Sequence, residues 1–325
     1  MQTAAIEDKK SGKLLRADSS RSNIKPPLVT LVLINWNYAT FLEEAIQSIL
    51  AQDYPFIEVI VVDNGSTDGS RDIIKQYVGE DPRFRLIELP MNLGQLGAFF
   101  HILDEIRGEF VTIVDADDFL LSSFVSWHVQ VHIALPQAVA FTSSNVFEIN
   151  AEARVITGGY GVFGKGQGCR VRQLPRADAV PRLETVSNHD YRRLARLTSA
   201  IPNLEFGWFW GPGTANMYRR SVLNAIRQRR GGEPYLRAAD AYLNPLCHAL
   251  AGSALIWEQL SFYRMHDKNF FAVRESTTEM KVGRPEVETQ NQLLKCEMVE
   301  FLFQNVDHFL GLVDRERYWG LIDQI

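Results

Sequence analysis

The chain has 325 residues, of which 46% are hydrophobic and 22% charged, and this composition excludes a disordered or fibrous protein. Its formal net charge of −5 argues against a general nucleic-acid binder, because affinity for a phosphate backbone needs a strongly positive surface. Three widely spaced cysteines without a CxxC pair indicate neither a disulfide framework nor a zinc site, and they fit a reducing compartment such as the cytoplasm.

The first 26 residues mix both charges and lack an apolar core, which predicts a flexible leader and not a secretion signal. From Pro27 onward, short apolar runs that predict strands alternate with amphipathic segments that predict helices. The strands are expected at 28–34, 57–63, 84–90 and 109–115, and the helices at 41–52, 66–78 and 94–108. This alternation predicts an α/β fold whose doubly wound, mostly parallel sheet carries helices on both faces.

Residues 119–141 contain no Asp, Glu, Lys or Arg, and a stretch of that length is long enough to cross a bilayer. Polar side chains and Pro136 interrupt it, however. We therefore expect a buried helix followed by a buried strand.

After about residue 150 the alternation gives way to an irregular region. The glycine-rich stretch 158–168 predicts a loop. The arginine-rich stretch 170–196 is either a solvated insertion or a surface for a phosphate-bearing substrate. From Glu286 onward the pattern predicts helix, whose apolar side chains would pack on the core or on a second copy of the chain.

The fourth predicted strand ends in three closely spaced carboxylates. In "FVTIVDADDFL", Asp115 and Asp117 share one side if the extended conformation continues, and Asp118 follows directly. Such hard oxygen ligands at a sheet edge suit Mg2+ or Mn2+, which would relieve the repulsion between them. The alternative is a turn in which Asp118 or Ser122 caps the next helix.

Two further strand ends carry polar residues. "VVDNGSTDGS" (61–70) places Asp63 and Asn64 where they can hydrogen-bond a base or ribose, and "MNLGQLG" (91–97) forms a third such edge. The alternative for the former is a plain strand-turn-helix connection capped by Ser66 or Thr67. Ligands of parallel sheets bind beyond the carboxyl ends of the strands, so these edges predict a site.

The order and spacing of these segments resemble the family 2 glycosyltransferases of the GT-A fold. The resemblance covers about Pro27 to Asn150, from "PLVTLVLINWNYATFLEEAIQSILAQDYPFIEVIVVDNGSTDGS" through "NLG" to "GEFVTIVDADD". It implies that this half binds a nucleotide-sugar and a divalent cation, Mn2+ or Mg2+. The residues implied in nucleotide-sugar binding are Ile34, Asn35, Asn37, Asp63, Asn64, Asn92, Gly94, Asp115, Ala116 and Asp117, and those implied in metal binding are Asp117, Asp118 and His266.

The chain departs from the family at Asn64, where many relatives carry a second acid. An amide both donates and accepts hydrogen bonds, so Asn64 makes the preferred nucleobase less predictable than an acid would. A UDP-sugar or dTDP-sugar is the favoured donor.

The second half resembles the family more loosely. "GPGTANMYRRSVL" (211–223) matches the segment that returns beside the sugar, and Trp208 and Trp210 before it either stack on a sugar ring or pack in the core. Asp240 falls where the family places its catalytic base, although this chain has Ala239 where relatives usually have Glu.

The later string "FYRMHDKN" matches a tyrosine-arginine-x-histidine signature of the family. The match implies that His266 and Arg264 touch the metal, the diphosphate, the sugar or the acceptor. His101, His128 and His132 lack such context and are expected to be structural.

The resemblance implies four segments and one overall activity. The segments are a leader (1–26), a GT-A domain (27–270) with a nucleotide-binding half (27–150) and an acceptor-side half (151–270), and a C-terminal helical extension (271–325). The activity is metal-dependent, inverting transfer of a sugar to a hydroxyl of a glycan or lipid-linked saccharide, as in surface polysaccharide biosynthesis. The expected setting is cytoplasmic, with peripheral association at the inner membrane face and a homodimer formed through the C-terminal helices.

Two other enzyme classes and one binding protein are the alternatives to this activity. A nucleotidyltransferase needs a glycine-rich, basic loop after the first strand and a nicotinamide dehydrogenase needs GxGxxG there, and "NWNYATFLEE" is neither. A catalytically silent nucleotide-sugar or glycan-binding protein stays open, because the acid usually found before Asp240 is missing.

Overall fold

The computed structural model describes residues 14–15, 25–164, 174, 182–203, 205, 207–227, 239–267, 269 and 285–325. Most of the expected leader, much of the arginine-rich stretch and the start of the C-terminal extension lie outside the described residues. Within the leader, Leu14–Leu15 pairs in parallel with Arg182–Leu183.

The described strands are β1 (Leu14–Leu15), β2 (Val29–Asn35), β3 (Ile57–Asp63), β4 (Phe84–Glu88), β5 (Phe110–Asp115), β6 (Phe119–Leu120), β7 (Phe141–Ile149), β8 (Val155–Thr157), β9 (Arg182–Leu183), β10 (Thr198–Ile201), β11 (Asn216–Arg219) and β12 (Ser253–Arg264). The described helices are α1 (Ala39–Leu50), α2 (Ser70–Glu80), α3 (Gly94–Ile102), α4 (Phe124–Ala134), α5 (Asn188–Arg196), α6 (Arg220–Ala225), α7 (Ala239–Ala251), α8 (Pro285–Gln304), α9 (Val306–Leu310) and α10 (Arg315–Gln324). Short 3-10 turns occupy Leu103–Glu105 and Gly213–Ala215.

One large sheet organises the molecule. Its main path has the order β10-β12-β7-β11-β5-β2-β3-β4, with β6 on β12 and β8 on β7. Strands β4, β3, β2 and β5 are mutually parallel, whereas β11 joins the second half of the sheet in antiparallel pairing with both β5 and β7. The expected mostly parallel α/β fold is confirmed, and the strand order reverses between β2 and β5.

Helices cover both faces of the sheet because alternate side chains of its central strands point to opposite sides. Leu31 and Leu33 of β2 belong to a core with α1, α2 and α4, and Val32 and Ile34 belong to a core with α3, α7 and the C-terminal helices. Strands β2 and β3 are buried along their whole length. This double burial explains why both strands are near-continuous apolar runs in the sequence.

One predicted helix end was wrong. The helix expected to stop at Gly108 ends at Ile102 and continues only as a 3-10 turn. Gly108 instead packs against the backbone, because an added Cβ would lie 2.6 Å from the Thr30 nitrogen. The helical segment expected from Glu286 is interrupted, forming α8, α9 and α10.

The C-terminal helices pack on the core, which was one of the two roles expected for them. Leu302, Phe309 and Tyr318 are almost fully buried and belong to the same core as Tyr242 of α7. The 119–141 stretch forms β6, α4 and the start of β7, as a helix followed by a strand. None of the helices that the structure describes combines the length and the apolar composition needed to traverse a bilayer.

Candidate active site

The sheet places the predicted polar strand ends side by side. Asn35 at the end of β2 is in register with Asp63 at the end of β3, and Ile34 is in register with Asp115 of β5. These ends meet where the strand order reverses, and such a switch point opens a crevice in doubly wound sheets. Residues that are far apart in sequence therefore share one edge.

Buried oxygen atoms at this edge have no hydrogen-bond partner among the described residues. They are Asn35 Oδ1, Asp63 Oδ1 and Asp118 Oδ2. Buried polar atoms are normally satisfied in folded proteins, because an unmet one costs desolvation free energy. Three unmet acceptors at the ends of adjacent strands favour a ligand that brings cations or hydrogen-bond donors.

The carboxylates of Asp115, Asp117 and Asp118 can each direct one oxygen so that all three oxygens lie within 4.8 Å of one another. Burial raises the pKa of Asp115 and Asp118 well above the ordinary value, and the charge of Asp117 raises both further. A divalent cation would offset that repulsion, and carboxylate oxygens are ligands that Mg2+ and Mn2+ prefer. The cluster thus has the chemistry of a divalent-metal site.

His266 lies against this cluster. Its Nε2 is 3.0 Å from Asp117 Oδ2, and Asn269 Nδ2 donates to the same oxygen at 3.3 Å. His266 is nearly buried beside the rings of Tyr38 and Phe41. These contacts fix the imidazole where it either orients Asp117 or shares a cation with it.

Arg264 is turned into the protein, which argues against its predicted contact with sugar or acceptor. Its Nε and one terminal nitrogen donate to the carbonyl oxygens of Asp117 and Ala151, each at 2.8 Å, and the other terminal nitrogen pairs with Glu44. The backbone nitrogen of Arg264 also donates to Asp118 Oδ1 at 2.8 Å. With the side chain only 2% exposed, Arg264 braces the turn that carries the carboxylates.

The end of β3 is held by the loop that follows it. Asp63 Oδ2 accepts from Arg71 Nε at 2.6 Å and from the Ser66 nitrogen at 3.3 Å. Asn35 Nδ2 and the Asn37 nitrogen donate to Ser66 Oγ at 3.0 and 3.1 Å. Asn37 adopts a positive φ of 60°, a backbone conformation that asparagine tolerates better than most residues. The connection is therefore rigid before any ligand binds.

Asn64 uses its side chain to join two of the predicted edges. Its Nδ2 donates to Asn92 Oδ1 at 2.9 Å and to the Gly94 carbonyl at 3.2 Å, and its Oδ1 accepts from the Leu93 nitrogen at 2.9 Å. These bonds hold the 92–94 turn against β3. An aspartate or glutamate at position 64 would lack the amide N–H groups that bond Asn92 and Gly94. The asparagine that departs from the family pattern therefore makes a local structural contact.

Asp240 lies in the first turn of α7, near the carboxylate cluster. Its Oδ1 accepts from the Ala241 nitrogen at 2.9 Å, and burial raises its pKa to about 6. Gln95 connects the two sites, because its Nε2 donates to Asp115 Oδ1 and its Oε1 accepts from the Ala239 nitrogen at 3.3 Å. One side chain of α3 thereby fixes the start of α7 relative to β5.

The two tryptophans have different environments. Trp210 is 2% exposed, contacts Phe141, Phe209 and His248, and donates from Nε1 to Ser253 Oγ at 2.8 Å. Trp210 is therefore packed in the core, and it also borders a cavity of about 520 Å³ beside Asp240. Trp208 is half-buried and lines the same cavity.

The remaining histidines with sequence-based expectations lie away from the carboxylates. His128 Nδ1 is 2.7 Å from Thr142 Oγ1, and His132 Nε2 is 3.1 Å from the Met217 carbonyl. Burial lowers the pKa of both. His101 is exposed on α3.

Several residues of the site were not singled out in the sequence. Gln95 occupies the quoted "MNLGQLG", Thr214 accepts from the Asp115 nitrogen at 3.0 Å within "GPGTAN", and Asn269 ends "HDKN". Each lies inside a motif that was recognised from its other residues. Their partners lie from 20 to 152 residues away along the chain, so only the fold reveals the contacts.

Comparisons with known proteins point to one family. Residues 30–163 match the family described as "Glycosyl transferase family 2". An uncharacterized glycosyltransferase of Nostoc sp. is 27% identical over 269 residues, covering 82% of this chain and 74% of that protein. The putative teichuronic acid biosynthesis glycosyltransferase TuaG of Bacillus subtilis is 37% identical over 92 residues, covering 28% of this chain and 36% of its own length.

A third relative is the GalNAc(5)-diNAcBac-PP-undecaprenol beta-1,3-glucosyltransferase of Campylobacter jejuni, 34% identical over 31% of this chain and 33% of its own length. The chain therefore matches only about a third of the length of TuaG and of this enzyme. A crystal structure of S. aureus TarS 1-349 in complex with UDP-GlcNAc has a TM-score of 0.51 at 17% identity, covering 91% of this chain and 79% of TarS. That likeness shows the fold, and the sequence matches support a family 2 glycosyltransferase.

Proposed function

We propose that this chain is a metal-dependent, inverting glycosyltransferase that moves a sugar from a nucleoside diphosphate sugar to an acceptor hydroxyl. The observation that carries the proposal is the meeting of Asp115, Asp117 and Asp118 with unmet buried oxygens at the sheet's switch point, beside Asp240. The matches to family 2 glycosyltransferases support the same activity.

The donor is assigned to the edge formed by β2, β3 and β5. Ile34, Asn35 and Asn37 border the nucleotide, and Asp63 with Asn64, Asn92 and Gly94 lies toward the base. Asp63 Oδ1 and Asn35 Oδ1 are buried acceptors that a base N–H or a ribose hydroxyl can satisfy. A uracil or thymine base offers such a donor, and the TarS neighbour was crystallised with UDP-GlcNAc, which suits a UDP- or dTDP-sugar.

The donor's diphosphate is assigned to the stretch of Asp115, Ala116 and Asp117. Mn2+ or Mg2+ would be held there by Asp117, Asp118 and His266. When bound, the cation supplies charge that offsets the negative diphosphate leaving group. The chain's own part is to keep the cluster in place: Arg264 holds the turn, and His266 and Asn269 hold Asp117. Burial and the neighbouring carboxylates raise the pKa of Asp115 and Asp118, and a positive partner would favour their ionised forms.

Asp240 is assigned the general base. Its ionised carboxylate would take the proton from the acceptor hydroxyl as the oxygen bonds to the sugar's anomeric carbon and the bond to the diphosphate breaks. A single displacement of this kind inverts the configuration at that carbon. A pKa of about 6 suits the task, since a base with a pKa near the working pH is both ionised and a good proton acceptor.

The second candidate is a catalytically silent nucleotide-sugar or glycan-binding protein, favoured by Ala239 where relatives usually carry Glu. In this chain the Ala239 nitrogen donates a hydrogen bond to Gln95 Oε1, which fixes the start of α7 in the absence of that acid. The proposed setting is the biosynthesis of surface polysaccharide on the cytoplasmic side, with peripheral membrane contact. The names of TuaG and of the Campylobacter relative support the polysaccharide part of this proposal. The acceptor is then a glycan or a lipid-linked saccharide.

Release of nucleoside diphosphate tests the proposal. A panel of UDP- and dTDP-sugars with Mn2+ is incubated with the wild type, Asp240→Asn and Asp267→Asn, and the product is quantified. Asp267 is the control because its side chain is 93% exposed and its Oδ1 lies 4.0 Å from His266 Nδ1, beyond hydrogen-bond distance. We expect Asp240→Asn to lower turnover by a factor on the order of a hundred while donor affinity stays unchanged. Equal turnover in both variants would remove Asp240 from the mechanism, and no release with any donor would favour the silent binding protein.

A further inference from the structure

The cavity beside Asp240 has two kinds of wall. With a volume of about 520 Å³, it falls in the usual range of small-molecule sites, roughly 300–1,000 Å³. One wall comes from the irregular region and presents the rings of Tyr160 and Trp208. The opposite wall comes from the C-terminal helices and is mainly apolar, contributed by Leu294, Met298, Leu321 and Ile325.

Hydrogen-bonding groups lie at the end of the cavity where α7 begins. Asp240 and Ala241 line the cavity there, and Pro245 follows one helical turn later. Proline has no N–H to donate, so the carbonyl of Ala241 lacks its regular partner within the helix. A carboxylate and a carbonyl without its helical partner together make a place for ligand hydroxyl groups.

The strand ends assigned to the donor are not among the described residues that line this cavity. None of β2, β3 or β5 contributes to the lining, whereas Asp240 belongs to the cavity and also raises the pKa of Asp115 by its charge. The cavity therefore adjoins Asp240 without including the strand ends of the nucleotide edge. Its contents would meet the donor sugar at the proposed base.

We propose that this cavity binds the acceptor, and that the acceptor is a saccharide carrying an apolar aglycone that packs against α8 and α10. The inference rests on the proposed function for the identity of the ligand as acceptor. Aromatic faces and hydroxyl partners near Asp240 suit a sugar, since a ring can pack on the apolar face of a pyranose. The leucine, methionine and isoleucine wall farther along suits a group without polar atoms.

The C-terminal extension is then part of the binding site and not only a cover for the core. Lys295 and Gln292 of α8 line the cavity as exposed residues, next to the buried Leu294 and Met298. Such a border of polar residues around an apolar wall is the arrangement expected of a site that takes one end of an amphipathic ligand.

Titration calorimetry with paired glycosides tests the proposal. The probes are octyl, phenyl and methyl β-glycosides of glucose, galactose and N-acetylglucosamine, used below the micelle concentration of the octyl compound, together with 1-octanol. For at least one sugar, we expect the octyl or the phenyl glycoside to bind about tenfold more tightly than its methyl counterpart, because burying even about two CH2 groups has that effect. The octyl and phenyl arms distinguish an alkyl from an aryl aglycone.

A pair of valines provides the matched control. Val162 is 43% exposed and lines the cavity, whereas Val155 is 59% exposed on β8 and does not line it. Val162→Asp places a carboxylate inside the same cavity, which should weaken the preference for the apolar aglycone, and Val155→Asp should retain it. Because both side chains are substantially exposed, neither change removes a buried core contact.

Three outcomes would overturn the proposal: equal affinity for methyl, octyl and phenyl glycosides of every sugar, 1-octanol binding as tightly as the octyl glycosides, or equal losses in the two valine variants. Binding of UDP with Mn2+ is measured on the same samples. If the glycoside preference fails while UDP and Mn2+ still bind, the acceptor proposal alone is wrong. If UDP and Mn2+ do not bind, the proposed function fails instead.

Discussion

The two halves of the large sheet differ in regularity and in what they hold. The half formed by β4, β3, β2 and β5 is parallel and continuously buried, and its strand ends gather the carboxylates and amides of the donor edge. The half formed by β11, β7, β12 and β10 is mixed and carries register shifts. The cavity is lined by loop residues that follow β8 and β10, by α7 and by the C-terminal helices. The matching family segment, 30–163, covers all of the first half and little of the second.

This difference suggests a division of labour in which a regular, shared half binds the donor and a more individual half selects the acceptor. Several hydrogen bonds between described residues cross between them, and three side chains bear directly on the site. Gln95 joins Asp115 to the start of α7, Arg264 of β12 holds the Asp117 turn, and Thr214 accepts from the backbone of Asp115. Substitutions on either side of these links can separate donor binding from catalysis.

The largest effect is expected within the donor half. Asp117→Ala removes the carboxylate that His266 and Asn269 hold in the cluster, so Mn2+ should no longer increase donor affinity, and transfer should fall to background. Calorimetry of UDP with and without Mn2+ measures this. Asp267→Asn serves as control and should keep the response to Mn2+; an undiminished response in Asp117→Ala would contradict the assigned role.

The next effect concerns the link made by Arg264. Arg264→Met leaves the buried acceptors that the guanidinium satisfies without partners, and unfolding free energy should fall by on the order of 3 kcal/mol. Glu44→Gln is the comparison, because the Glu44 side chain is 55% exposed and should contribute less than about 1 kcal/mol. Urea unfolding distinguishes the two. Equal small losses would mean that the turn is held without Arg264.

A smaller effect is expected for the link made by Gln95. Gln95→Leu breaks both bonds between Asp115 and the start of α7, so turnover should fall roughly tenfold through misplacement of Asp240 while donor affinity changes little. Gln47→Leu, which removes an exposed glutamine that bonds Tyr77, is the control. If donor affinity and turnover fall together in Gln95→Leu, the residue serves the donor edge and not the link.

The smallest effect is a pH dependence of stability. Burial raises the pKa of Asp240 to about 6, so the folded state binds this proton more tightly than the unfolded chain does. The contribution is present in full below the ordinary aspartate pKa, about 3.8, and is lost as the pH rises through about 6. Asp240→Asn should therefore raise the melting temperature at pH 7.5 and leave it unchanged near pH 3. An equal shift at both pH values would mean that ionisation of Asp240 carries no cost.

The regular half was largely predictable from the sequence for a physical reason. Buried parallel strands must be apolar along their whole length, so β2, β3 and β5 are visible as runs that end in polar residues. Because parallel strands end at one edge, the proximity of Asn35, Asp63 and Asp115 follows from the pattern alone. Helix ends were less well placed, since Gly108 serves close packing against Thr30 and not a helix stop.

The second half could not be predicted to the same depth. Arg264 was expected at the ligand, yet its nitrogens bind carbonyls and Glu44, and nothing in "FYRMHDKN" distinguishes a buried brace from a ligand contact. Trp208 and Trp210 are two residues apart and both line the cavity, yet Trp208 is half-buried whereas Trp210 is 2% exposed. The partners of Arg264 lie more than a hundred residues away along the chain.

The central claim is that the acidic cluster at the end of β5 binds a divalent cation and a nucleoside diphosphate together. Titration of wild-type protein with UDP, dTDP and GDP, each in Mn2+ and in EDTA, tests it most directly. The account predicts that UDP or dTDP binds at least about tenfold more tightly in Mn2+, since a bound cation offsets charge repulsion between the carboxylates and the diphosphate. Equal affinity of every nucleotide in Mn2+ and in EDTA would contradict the claim.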